Sequence, residues 1–562
     1  MNRFGRGDVS ESQAPQPSGA VDMWDEISMK PKLTPFLDFY NRHTVYSIFI
    51  FYLFTKGMIG GVGILFLLQV SFCRETLEVD ARQCQVIGVI ASVPWSLRGL
   101  IAVLLCNLKE YALKYASSTH FFKTTEVMFI VLATVICVTS LFVLALGQYS
   151  SVTAGVLISC VNFGICALDV IFNGMYSKMV KMGHVPSSDG DSSSKEEDHA
   201  STLVFLSATT YQIGAILAAS IVGPVVQFYS PRIVFFIAAM LACTNLIPVY
   251  CDWLGEIDVS SSTGDSPTDM SVYKKFRNVS LLTGVVAICN SFLSTHMTEA
   301  HSLAIYALIS IVLLAVFNFF ELSVLNQGST PQSNDAKAML LSKPPVDHTV
   351  FYTIGTTIIV MQTTLFVNVF AAEAYFLTEK ESCNSNMPQF SYIAFNTTGA
   401  ILSAISGWLG IIVFRKIFKP FTIQGMFVTT MWLQLSSRSL RAFMPVGFFG
   451  NAAALNWPYF IAIYCIISPL VTYVYTMPSV MLIPNLVPTH QSTLAFAAVV
   501  SLQSYSRVAA SQLGLLGIEL ANLQHQSPCD FCNLWIIQIV GQVALPMLML
   551  PILYSFLPKI KL

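Results

Sequence analysis

The chain has 562 residues, of which 54% are hydrophobic and only 11% charged, and its formal net charge is −1. That balance excludes a set of soluble domains, because most of the chain must sit in hydrocarbon, and it offers no basic stripe to neutralise phosphates, so no DNA or RNA partner is expected. The 13 cysteines fall mainly in apolar runs, where Cys behaves as a small buried hydrophobe.

Residues 1–44 are polar and rich in Ser, Pro and Gly, without the apolar core of a signal peptide. They read as a disordered cytoplasmic lead, which leaves the first span as its own uncleaved insertion signal. Apolar segments long enough to cross a bilayer follow at 45–70, 84–106, 126–147, 152–178, 202–228, 232–250, 278–295, 301–323, 350–375, 391–415, 420–440, 457–486, 492–520 and 535–556. Fourteen spans result, of which 278–295 is short and 420–440 only moderately apolar.

The distribution of Lys and Arg tests this count independently. With both termini cytoplasmic, 21 of the 30 fall on the inner side and six outside, the six being Arg74, Arg82, Arg232, Lys380, Arg438 and Arg441, while Lys56, Arg98 and Arg507 lie within spans. Two Ser- and Asp-rich inner loops, 184–198 and 255–271, cannot bury enough apolar area to fold and read as flexible tethers. The second follows the sixth span. The chain therefore divides into an N-terminal six-helix bundle (45–250), linkers with a two-helix insert (251–349), a C-terminal six-helix bundle (350–556) and a cytoplasmic tail (557–562). Six plus six, with two extra helices between the halves, is the arrangement of a major-facilitator-like all-α transporter, whose halves rock around a site at mid-membrane. The protein is expected in the plasma membrane rather than an organelle.

Charges inside the spans mark where chemistry belongs, since each costs several kcal/mol unless it faces a partner or a polar path. Arg98 follows Pro94 and Trp95 in the middle of the second span; it either faces a polar path or pins helices through carbonyls. Lys56 precedes a glycine run, Gly57 to Gly63, which permits close helix approach or a local break. Asp169, Asn173 and Tyr176 share one face of the fourth span, at spacings of four and three. Asp169 is the natural counter-ion for Arg98 or Lys56, and two roles stand open for it: a structural ion-pair partner or a proton acceptor. One cation is then left over, which suits a solute with a carboxylate or an anionic ring. From the other half come Gln362, Asn368 and, near the outer end of the ninth span, Glu373. Asn396, Tyr473 and Arg507 are candidate cavity-lining residues there, on helices whose prolines and aromatics suit a flat heteroaromatic ligand.

Other constellations carry less. His296, Glu299 and His301 lie in a short loop without a further ligand set, so no metal is expected. The outer cysteines Cys73, Cys84, Cys383, Cys529 and Cys532 point to disulfides of unassigned pairing rather than redox chemistry. No phosphate-cradling loop, nucleophile elbow or cofactor motif is present, and no enzymatic activity is expected.

Several stretches, in order, resemble the folate-biopterin transporter family, and in particular its kinetoplastid pteridine-transporter branch: FYLFTKG (51–57), WSLRG (95–99), LDVIFNGMYSK (168–178), KESC followed by FSYIAFNTTGA (380–400), and MPSVMLIPNLVP (477–488). The resemblance covers most of the chain. It implies a carrier of folates, biopterin or related compounds such as S-adenosylmethionine, commonly proton-coupled, with Lys56, Arg98, Asp169, Gly174, Tyr176 and Asn396 on matching positions. Departures accompany it: Gly60, Asn107 and Ser492 stand where the family has acidic residues, and a family Glu near Asn173 is replaced. Fewer membrane carboxylates leave a second reading open, a non-transporting receptor or scaffold derived from a carrier.

Overall fold

A computed structural model describes residues 40, 42–115, 120–182, 193–254, 267–296, 299–323, 348–378, 388–418, 420–446, 453–486, 492–521 and 530–556. Most of the polar lead, the centres of both tethers, Lys380, Cys383 and Cys529 lie outside the described residues.

The described residues are helical throughout, without a β-strand. Eleven helices are long and apolar enough to span: α1 Arg42–Glu75, α2 Ala81–Leu108, α3 Thr125–Leu146, α4 Ser151–Ser177, α5 Phe205–Phe228, α6 Pro231–Tyr250, α7 Tyr273–Ser294, α8 Ala300–Asn318, α10 Ile393–Ile417, α12 Leu455–Val480 and α14 Leu534–Ser555. The other three expected positions are also helical: α9 is broken into His348–Thr364 and Phe370–Thr378, α11 runs Ile423–Ala442, and α13 runs Ser492–Leu520. These three fall short on composition or continuity, because α9 is interrupted and α11 and α13 carry Arg, Gln and Ser through their middles.

Local signals place the helix ends. Asp80 caps α2 by accepting from the Gln83 amide at 2.7 Å, Ser230 and Pro231 start α6, and Thr422 caps α11. Interior irregularities follow the breakers. In α1 a π-turn over Phe51–Ile59 runs into a bend at Gly60 to Gly63, where Gly61 takes a positive φ of 56°. In α2 the chain re-turns at Leu97, whose amide donates to the Pro94 carbonyl at 2.9 Å, so Arg98 opens a second half-helix.

Packing joins the two sets of helices. On α1, a Cβ at Gly57 would lie 2.7 Å from the Tyr211 carbonyl oxygen, and one at Gly214 only 2.3 Å from that of Leu53, so the π-turn and α5 touch backbone to backbone. Helix α10 approaches α12 in the same way at Gly407 and Gly410, against Tyr473 and Leu470. Across the middle, Thr397 donates to the Ala219 carbonyl at 2.8 Å and Trp408 to Thr209 at 3.2 Å, tying α10 to α5. At the interruption in α9 the backbone finds partners on other helices: the Asn368 carbonyl accepts from Gln85, that of Val367 from Gln542, and their amides donate to Ala510 and Gly541. Arg74 donates to the Thr378 carbonyl at 2.7 Å and Tyr375 to that of Val79 at 2.6 Å, closing that end of the bundle.

Candidate functional site

Two charged centres lie inside the bundle. At the first, the buried carboxylate of Asp169 receives Lys56 Nζ at 2.8 Å on Oδ1 and Arg98 Nη2 at 2.9 Å on Oδ2. The fold brings the three together through the irregularities of α1 and α2: the π-turn carries Lys56 and the Pro94 break carries Arg98, both toward the face of α4 that holds Asp169. Each cation also rests on an aromatic face, Lys56 Nζ 4.6 Å from the Tyr52 ring centre and the Arg98 guanidinium 4.5 Å from Trp95. Tyr52 in turn donates to Asn173 Oδ1 at 2.8 Å, and its ring lies 6.2 Å from that of Tyr176. Asn162 and Cys166 bind the Ala91 and Pro94 carbonyls of α2, holding α4 against the break.

Arg507 belongs to the same electrostatic neighbourhood. Its side chain is exposed, and it lies within electrostatic reach of Arg98 and Tyr211. Two cations, Lys56 and Arg98, share the Asp169 carboxylate, and Arg507 adds a third positive charge nearby. Next to the triad lies a recess of about 10 Å³, shared by Arg98, Asp169, Asn173 and Gly174 with Phe496, Ala497 and Val500 of α13. That is about the room of one water, too small for a solute.

The main cavity, about 270 Å³, lies beside it and is lined by α1 and α5 from one half and by α9 to α12 from the other. Asn396 and Tyr473 line it; Lys56, Arg98, Asp169, Asn173, Tyr176 and Arg507 do not. The single site read from the sequence is thus two neighbouring centres, with Tyr211 in electrostatic reach of Asp169, Arg507 and Tyr473. Its hydroxyl accepts from the Val62 amide at 3.3 Å, at the bend in α1.

The cavity has charges of its own that sequence reading assigned elsewhere. Arg438 and Arg441 are not loop residues but belong to α11, and Arg441 Nη2 meets Glu373 Oε2 at 2.5 Å. The other Glu373 oxygen accepts from Gln538 at 2.9 Å and Gln542 at 3.4 Å, and Arg438 lies 3.5 Å from Gln542. Arg441 also lies 4.5 Å over the Tyr464 ring, whose hydroxyl donates to the Arg441 carbonyl. The available signal was a carboxylate within the ninth apolar stretch and two arginines three residues apart at the end of the eleventh. Gln362 and Asn368, by contrast, are absorbed structurally: Gln362 bonds Tyr475 and Ser479, and Asn368 bonds Ser511. Cys73 and Cys84 are buried, adjacent free thiols.

A bundle of apolar helices enclosing a largely apolar cavity that holds one ion pair fits a multi-pass helical membrane protein of the major-facilitator-like fold. Solved structures of that fold resemble it across nearly its whole length. An auto-inhibited POT family peptide transporter aligns with a TM-score of 0.56 at 12% identity, covering 92% of this chain and 98% of that one. A peptide transporter POT in complex with sulfate aligns at 0.55 and 12%, covering 92% and 96%. A mutant form of the nucleoside transporter NupG aligns at 0.52 and 12%, covering 91% and 99%. No curated protein matches the chain by sequence. The BT1 family model matches residues 60–561, and the chain belongs to the BT1 family.

Proposed function

We propose that this chain is a secondary carrier that moves a pteridine, a folate or a related heteroaromatic solute by alternating access, as a divergent relative of the kinetoplastid pteridine transporters. The observation that carries the reading is the cavity lined from both sets of helices, with an excess of cations around Asp169, itself in electrostatic reach of Tyr211. An aromatic-walled cavity takes a flat ring, and Arg507, free of a carboxylate in the triad, takes the anionic tail. The fold shared with peptide and nucleoside transporters supports the same mechanism. In this reading helices α1 to α6 and α9 to α14 are the two rocking bundles, α7 and α8 the insert, and both termini face the cytoplasm of a plasma-membrane protein.

Proton coupling is placed at Asp169. Protonating this one carboxyl removes both ion pairs at once and releases α1 and α2 from α4, which is the kind of bistable contact a rocking carrier needs. Lys56 and Arg98 then hold the coupling site, Asn173 and Tyr176 line its approach, and Asn396, Tyr473 and Arg507 contact the solute.

The test is uptake of radiolabelled folate, biopterin and S-adenosylmethionine into proteoliposomes, with and without an inward proton gradient. Gradient-stimulated uptake of one of the first two is expected. Binding without uptake or counterflow would favour the receptor reading, and uptake of S-adenosylmethionine alone would replace the solute class.

A further inference from the structure

The main cavity carries chemistry that the triad does not share. Its ion pair, Glu373 with Arg441, is internally neutral, and Glu373 is further satisfied by two glutamine amides, so the cavity holds no spare charge for an anion. Asn396 differs. It lines the cavity and is 1% exposed, yet neither its amide nitrogen nor its amide oxygen has a partner in the protein. A buried amide left unpaired at both ends costs on the order of 1–3 kcal/mol per group, so a fold retains one where a ligand completes it.

Two independent features point the same way. Asn396 sits in a π-turn, Ile393–Gly399, and faces a second π-turn, Phe460–Ile467, which carries Tyr464. Such turns widen a helix locally and recur at functional sites. The walls beside the amide are flat: Phe395 and Phe460 lie with ring centres 6.4 Å apart and planes 30° from parallel.

We infer that Asn396 is the specificity-determining residue of a ring subsite, reading a hydrogen-bond donor and acceptor set side by side on the edge of an uncharged planar heterocycle. The amide oxygen accepts from the ring N–H while the amide nitrogen donates to the adjacent ring carbonyl. Phe395 and Phe460 cover the faces of the ring. The inference rests on the carrier reading for its biological meaning, but its test needs no transport.

The experiment is equilibrium binding to the purified full chain of two probes with the same bicyclic ring, quinazolin-4(3H)-one, which carries N–H and C=O side by side, and quinazoline, which lacks that edge. Wild type is expected to favour the lactam at least about 10-fold, because a paired polar edge is rewarded and an unpaired one penalised. Asn396→Leu, which keeps the volume, should bring the ratio to about one or below; Asn396→Asp, which loses the donor, should also collapse it and serves if the first variant fails to fold. Equal binding of the probes by wild type, no binding of either, or an unchanged ratio in a folded variant would overturn the inference. Any of these can occur while folate uptake persists, so failure of the subsite and failure of the carrier reading are separable.

Discussion

Arg98 Nη2 stands 2.9 Å from Asp169 Oδ2, and the residue that makes the contact is the first after a proline break in α2. The fully buried carboxylate is shared with Lys56 at 2.8 Å, whose side chain is 23% exposed against 13% for Arg98. The two cations are therefore unequal, and the carboxylate is the hub.

Removing the hub should cost most. Asp169→Asn leaves two cations facing each other without a counter-charge and is expected to lower stability by roughly 3–5 kcal/mol and abolish uptake. Arg98→Ala should abolish uptake while the protein still reaches the membrane, and Lys56→Gln should be the mildest of the three. Thermal unfolding of the purified variants checks the order; a Lys56→Gln loss equal to that of Asp169→Asn would refute the shared-hub arrangement.

The Glu373–Arg441 pair should show the signature of a buried charge that depends on its partner. Arg441→Gln alone strands the carboxylate and is expected to cost about 3–5 kcal/mol, whereas adding Glu373→Gln should recover most of that loss. A double-mutant cycle on thermal stability gives the coupling, and additive effects would mean the contact carries no energy.

The Arg507 side chain is exposed, so its removal should spare the fold. Arg507→Ala is expected to keep the wild-type melting temperature while weakening binding of a carboxylate-bearing solute by about 10-fold, with little effect on an uncharged one. Comparing folate with biopterin binding separates the two. Equal losses for both would remove Arg507 from anion recognition.

The contact between α1 and α5 tolerates no side chain. In Gly214→Val the Cβ would lie 2.3 Å from the Leu53 carbonyl oxygen, against backbone that cannot move independently. A loss of about 1–3 kcal/mol or more is expected, with the purified variant melting lower. Gly155, whose added Cβ would meet only Ile90 side-chain atoms at 3.5 Å, should accept alanine and serves as the control.

The helical class, the order of the spans and the residues of the triad were legible in the sequence, because apolar length is a local property and a charge in hydrocarbon demands a partner wherever it sits. That rule pairs Asp169 with Arg98 or Lys56 and leaves one cation over, whereas the structure places both on the one carboxylate. Reading α11 by its moderate hydropathy put Arg438 and Arg441 in a loop, since nothing local reveals that Glu373, far back in the chain, waits to neutralise Arg441. The same limit hid Tyr211, one of 21 tyrosines, which lies in electrostatic reach of Asp169, Arg507 and Tyr473. Which polar side chains are spent on the fold, as Gln362 and Asn368 are, and which remain unpaired, as Asn396 does, was decided only by tertiary structure. Hydrogen bonding is a short-range property of neighbours, and the neighbours come from helices distant in sequence.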